Sequence, residues 1–301
     1  MRRRGVGFIG VGAAADRHRR ALDGSRAGWP VAAWGLARSD RERARAWSVR
    51  LHRGLRGLVE DPEVEAVFVP SPSETCRELT LLTLEAREPV LVGKPVAASA
   101  VGVLERGRRL IAAGGLGRVY VTWIVHAVSV IRPSGELAAR YPGVLQQVMP
   151  HHLLGRPRRV VALRPRSPGQ GLDREGQVAL QLETADGGLA RLFASFATDD
   201  ETNQPWTFMG KTSGDTGGFV RTCRDVIVAR SIGIHARGYV PHEEGVQSQD
   251  EHFLTRCLEG GAPLSSLRDA YLVQVIVEAA SRSIVSGRAV EPAFEDVGVP
   301  P

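Results

Sequence analysis

The stretch VGFIGVGAAADRH, Val6–His18, decides how the rest of the chain reads. Its apolar run, Val6 to Val11, reads as a short buried strand. Two glycines lead from it into a segment with helical character from about Ala13. A strand that turns through Gly-x-Gly into a helix matches a dinucleotide fingerprint, with Gly10, Gly12 and Ala15 in its three small positions. Gly10 permits the tight turn, Gly12 lets the backbone approach a pyrophosphate, and Ala15 keeps the helix close to the sheet. Ala13 and Ala14 then open a helix whose N-terminus faces the anion. A plain turn of small residues explains the same string, so the context has to decide.

The context is alternation. Val31–Ala37 reads as a second strand, followed by the charged helix SDRERARAWSV with Ser39 or Asp40 as its cap. Glu65–Pro70 is a third strand, and SETCRELTLLTLEA is a helix that Ser73 is placed to cap. PVLVGKP, SAVGVLERGRRLIAAG and RVYVTWIVH continue as strand, helix and strand. Such alternation implies a parallel sheet with crossover helices on both faces, and continuous apolar strands suit double burial. The expected fold is therefore α/β, with a Rossmann doubly wound parallel sheet over residues 1–123. The remainder, 124–301, reads differently. Strands are expected at 157–166, 177–186 and 189–199, with a hairpin turning at Asp186-Gly187-Gly188. PWTFMGKTSGDTGGFVRT and DVIVARSIG add more. This second domain is expected to be α+β with a mainly antiparallel open sheet. One face of that sheet rests on helices, and the other is free to form a homodimer. The closing helices can pack back on the first domain.

Composition narrows the function. The formal net charge is +6, but the arginines are spread along the chain and no run is interleaved with aromatics. That argues against nucleic acid and leaves attraction of an anionic cofactor or ligand. No apolar stretch is long enough to span a bilayer, and the run after MRRR is too short for a signal peptide. Cys76, Cys223 and Cys257 are too scattered for a disulfide framework or a zinc site, so a reducing cytoplasm is expected. HEEGVQSQDEH, at 242–252, has irregular spacing for metal ligands and reads as a solvated helix start, and no metal is expected. At the end of the second strand, where a carboxylate takes the ribose of NAD, the chain has Arg38 and Ser39. A guanidinium pairs with a 2′-phosphate, which favours NADP, while Asp40 keeps NAD open.

Taken together, FIGVGAAADRH, SPSETC at 71–76, GKP at 93–95 and the closing segment from Asp250 resemble the glucose–fructose oxidoreductase / inositol dehydrogenase (Gfo/Idh/MocA) family. The resemblance implies an NAD(P)-dependent oxidoreductase. It implies that Ser71 and Pro72, in the family's TPxxxH turn, and Lys94 and Pro95, in its EKP motif, line the cofactor. Lys94 then meets the nicotinamide end and the substrate oxygen, where an ammonium donates a proton or polarises the acceptor. Lysine is scarce among the 39 Lys+Arg, which adds weight to that position. The departures are equally specific. Gly93 replaces the glutamate and Cys76 the histidine. In YPGVLQQVMPHHLLGRP, Leu145 and Val148 stand where the family's DxGxHxxD helix has its His and Asp, and Pro150 interrupts that helix. The chain thus resembles a divergent, shortened member. Replacement proton carriers are sought in His126, at the end of VYVTWIVH, and in Tyr120, with Trp123, Gln147, His151 and His152 behind them. The expected reaction is reduction of a ketone or imine of a biosynthetic intermediate. LFASFATDDETNQPWTFMG is faintly similar to thiazolinyl imine reductases, which do not typically keep the lysine. The alternative is a member that keeps the fold but performs a non-redox step or only binds a nucleotide or partner.

Overall fold

The computed structural model describes residues 2–35, 38–70, 73–86, 88–92, 111–128, 156–164, 177–195, 206–222, 225–230, 233–239, 242–263 and 266–295. The chain divides into two compact units: Met1–Val101 with His242–Leu264, and Gly102–Pro241 with Ser265–Pro301.

In the first unit β1 (Arg4–Ile9), β2 (Gly28–Trp34), β3 (Arg50–Leu51), β4 (Ala66–Val69) and β5 (Val90–Val92) form one sheet in the order β3-β2-β1-β4-β5. Every described pairing in it is parallel. The central strands are apolar on both faces because both faces are covered. Val6, Phe8 and Phe68 face a cluster with Ala15 and Leu22 of α1 (Ala13–Asp23). Ile9, Val67 and Val69 face another with Leu58 of α3 (Leu55–Val59) and Leu79 of α4 (Ser73–Glu85). Full burial stabilises by about 1.5–3 kcal/mol for each such side chain. α2 (Arg38–Ala46) joins β2 to β3. α5 (His242–Thr255) completes the first cluster from far along the chain, through Leu254.

The second strand begins earlier than expected, because its pairing with β1 starts at Arg4↔Gly28. Helix α2 starts at Arg38, so Ser39 and Asp40 sit in its first turn rather than ahead of it. The short elements β3 and α3 were not anticipated. A larger correction concerns VYVTWIVH. It does not continue the first alternation, but forms part of β6 (Val119–Val128), a central strand of the second unit's sheet.

That sheet adds β7 (Pro157–Leu163), β8 (Gln177–Thr184), β9 (Leu189–Ser195), β10 (Trp206–Gly214), β11 (Gly217–Thr222), β12 (Asp225–Arg230) and β13 (Gly233–Tyr239). Its order is β13-β12-β11-β10-β6-β9-β8-β7. Only β6 and β9 pair in parallel among the described pairings of this sheet; the rest are antiparallel. The β8–β9 hairpin turns where the glycines predict, with Gly187 at φ +82°. Strand β8 alternates strictly, turning Val178, Leu180, Leu182 and Thr184 inward. Ile276, Val277, Ala279 and Ala280 of α6 (Leu267–Ser286) cover that face. A Ser266–Asp269 capping box starts α6, and Gly287 in the left-handed region ends it. The opposite face presents an apolar row across five strands, Leu163–Ala179–Phe193–Val125–Met209. In that row Leu163 is 63%, Phe193 38% and Met209 41% exposed. Among the described residues no helix is long and apolar enough to cross a membrane.

Candidate dinucleotide-binding site

The strand order of the first sheet reverses between β1 and β4, since the chain runs outward from β1 to β3 and then returns to β4 on the other side. In open α/β sheets ligands bind in the crevice beyond the carboxyl ends of the strands at such a switch point. β1 ends there in Gly10-Val11-Gly12. Gly10 has φ +84°, a conformation that favours glycine, and its N–H donates to Trp34 O at 2.7 Å, tying the turn to the end of β2. Gly12 is the N-cap of α1 at φ −73° and ψ −174°. No side chain caps this helix, and a Cβ built on Gly12 would meet no atom within 4 Å. The first N–H groups of a helix have no partner within the helix, and its dipole favours negative charge. The turn therefore leaves donors beside open space, which fits a diphosphate. Ala15, 1% exposed, packs into the core and holds the helix against the sheet.

Helix α2 closes one side of this turn. Asp40 lies against Gly35, so closely that a Cβ on Gly35 would overlap its Oδ2. Arg43 Nη1 donates to Val11 O at 3.0 Å. Deeper in the unit, His18 Nδ1 on α1 lies 2.9 and 3.1 Å from the two carboxylate oxygens of Asp250 on α5. Asp250 is fully buried, and burial pushes its carboxyl up, with His18 pulling partly the other way. The ring of Phe68 meets His18 edge-on at 5.4 Å. At the sheet's edge, Asp61 accepts hydrogen bonds from Arg50, from the backbone N–H of Glu63 at 3.0 Å and from His52 Nε2 at 2.8 Å.

The family profile described as "Oxidoreductase family, NAD-binding Rossmann fold" (Gfo/Idh/MocA) matches residues 4–113. Inositol 2-dehydrogenase 1 of Saccharopolyspora erythraea is 38% identical over 124 residues, which is 38% of this chain and 37% of that protein. Inositol 2-dehydrogenase of Acidothermus cellulolyticus is 32% identical over 125 residues, covering 38% of this chain and 36% of that protein. Residues 4–113, a little over a third of the chain, match the Gfo/Idh/MocA family. The sequence matches thus span little more than a third of those relatives' length. The fold match extends further. A levoglucosan dehydrogenase, solved in complex with NADH and L-sorbose, superposes with a TM-score of 0.81 at 17% identity, covering 98% of this chain and 100% of that one. A putative myo-inositol dehydrogenase from Sinorhizobium meliloti 1021 gives 0.74 at 18% identity, over 96% and 100%.

The expected site residues divide into those of the first unit, those outside the described residues, and a third group. Gly10, Gly12, Ala13 and Ala14 form one continuous turn and helix start. Arg38 and Ser39 open α2 at the end of β2, with Ser39 exposed. Ser71, Pro72, Lys94 and Pro95 lie outside the described residues, as do Gly93, Leu145, Gln147, Val148, His151 and His152. The third group is in the second unit. His126 pairs with Phe208 and Ala194 in the middle of its sheet. Tyr120 lies in an irregularity where β6 slips against Gly214, and lines a hollow of about 240 Å³ with Lys211, Ser213 and Val220. His126 lies six positions along the strand from Tyr120, about 20 Å at ~3.3 Å per residue. Their backbone positions are therefore well separated along β6. Sequence reasoning missed Arg43, an exposed residue of α2 beside the buried Ala44, for which helical spacing from Asp40 was the available signal. It also missed the His18–Asp250 pair, which nothing local in the sequence announces.

Proposed function

We propose that this protein is an NADP-preferring oxidoreductase that reduces a ketone or imine of a biosynthetic intermediate. The observation that carries the reading is the uncapped start of α1, open to solvent over Gly12 at the switch point of a parallel sheet. When bound, the reduced nicotinamide supplies a hydride to the carbonyl or imine carbon. Lys94 holds the proton that goes to the oxygen or nitrogen, and recovers one from water. Preference for NADP rests on Arg38 and Ser39 at the head of α2, where a carboxylate would repel a 2′-phosphate. The relatives named as inositol dehydrogenases suggest polyol oxidation. By the resemblance to the family, Leu145 and Val148 stand where that chemistry needs His and Asp, which points away from it. His126 is kept as a second proton carrier, and Tyr120, lining its separate hollow, is the weaker candidate.

Fluorescence titration with NADPH and with NADH is the first test. Binding to neither removes the oxidoreductase reading and leaves a non-redox or partner-binding role. With binding established, Lys94→Ala should abolish turnover of a ketone or imine substrate while cofactor affinity stays within a few fold. We further propose that a second copy of the chain covers the apolar row on the open face of the second sheet. A twofold axis lets the same row meet itself, and the other face is already occupied by α6.

A further inference from the structure

Arg43 does something for the phosphate turn that its sequence does not suggest. Its Nη1 donates to the carbonyl of Val11, the residue between the two fingerprint glycines, at 3.0 Å. A trans peptide is planar, so the Val11 carbonyl and the Gly12 N–H point in opposite directions from one rigid unit. Fixing the carbonyl toward α2 fixes that N–H away from α2. The plane turns about ψ of Val11 and φ of Gly12, and Gly12 lacks a Cβ. On the Gly12 side no side chain resists that rotation. Val11 itself is fully buried, so its side chain anchors the residue without setting the plane.

We propose that Arg43 is a positioning residue that holds the Val11–Gly12 peptide with its N–H presented to the dinucleotide's diphosphate. This rests on the nucleotide-binding reading above and adds to it the group that prepares the turn. Its position agrees. Asp40, Arg43, Ala44 and Trp47 follow the i, i+3, i+4, i+7 spacing of one helix face, and Ala44 on that face is 1% exposed. Arg43, itself exposed, stands at the rim of that face and reaches the turn with one N–H, which it spends on a carbonyl. The diphosphate is common to NAD and NADP. Arg43 therefore acts on both cofactors alike, in contrast to Arg38, whose proposed role discriminates between them.

The test uses the full chain with Arg43→Gln and Arg43→Lys, titrated with NADPH, NADH and ADP-ribose. Loss of one charge-assisted hydrogen bond predicts about a tenfold weaker Kd for all three in Arg43→Gln. Arg43→Lys, which still donates to the Val11 carbonyl, should recover most of it. The Gly12 amide resonance of the nucleotide-free protein reads the peptide plane directly. It should move in Arg43→Gln and return toward wild type in Arg43→Lys. An unmoved Gly12 resonance with Kd values within twofold of wild type overturns the proposal. A loss confined to NADPH also overturns it, since that assigns Arg43 to the 2′-phosphate. If wild type binds none of the three ligands, the nucleotide-binding reading fails instead, and the Gly12 resonance still decides whether Arg43 holds the plane.

Discussion

Placing an aspartate at Gly12 should stabilise the protein and destroy its nucleotide site at once. Gly12 has an ordinary extended conformation at an N-cap, so a larger residue enters without backbone strain. No atom lies within 4 Å of its built Cβ, so it enters without a clash. An N-cap aspartate accepts from the first free N–H groups of α1, a gain of a few tenths of a kcal/mol over glycine, and its charge adds about 0.3–1 kcal/mol against the helix dipole. Together these raise Tm by about 1–4 °C for a chain of this size. The same carboxylate stands where the diphosphate must come. At ~5 Å and an effective dielectric of ~20, one pair of like charges costs about 3 kcal/mol, roughly a hundredfold or more in Kd. Scanning fluorimetry without ligand and titration with NADPH measure the two effects separately. Gly12→Asn, which caps without charge, isolates the electrostatic part. An NADPH Kd for Gly12→Asp within threefold of wild type would refute the placement of the diphosphate. A fall in Tm of several degrees would refute the open, uncapped helix start.

Three other perturbations test the parts that support the site. His18→Leu strands the buried Asp250 carboxylate and should cost about 3–5 kcal/mol in urea unfolding, most of it recovered in His18→Leu/Asp250→Leu; a cost below about 1 kcal/mol contradicts the pair. Burial by itself raises Asp61, but the hydrogen bonds from Glu63 N–H, Arg50 and His52 more than reverse it, so its carboxyl titrates below the usual range. That contribution is present above the ordinary carboxylate value of about 4 and is lost as pH falls through the lower folded value. Asp61→Asn should therefore flatten the acid side of the stability profile, and an unchanged profile argues against it. Finally, Leu163→Asp with Phe193→Asp places two charges in the exposed apolar row. Light scattering should report a monomer with NADPH affinity intact, whereas a persisting dimer moves the interface elsewhere.

The alternation of strand and helix made the first sheet readable, because Val6–Ile9 and Ala66–Val69 are apolar on both faces and only a covered parallel sheet permits that. The hairpin at Gly187 was equally legible from its turn glycines. Strand β6 misled because a central strand of a mixed sheet, with Thr122 and Ile124 inward and Trp123 half-buried outward, has the same apolar look as a parallel one. The fingerprint turn announced itself through spacing. Its supports did not. Arg43 is one of many arginines until the helix face is known, and His18 and Asp250 are 232 positions apart. Contacts of that kind arise from tertiary packing and carry no local pattern.

The first unit is assembled from two separated pieces of chain, and this has a consequence for synthesis. When the first 101 residues have emerged from the ribosome, Leu22 and Phe8 still lack Leu254, and His18 lacks its carboxylate. Roughly 150 more residues must be made, about 8–30 s at ~5–20 residues/s, before that layer can close. Cutting the gene after the first segment would yield a polypeptide with a bare hydrophobic flank.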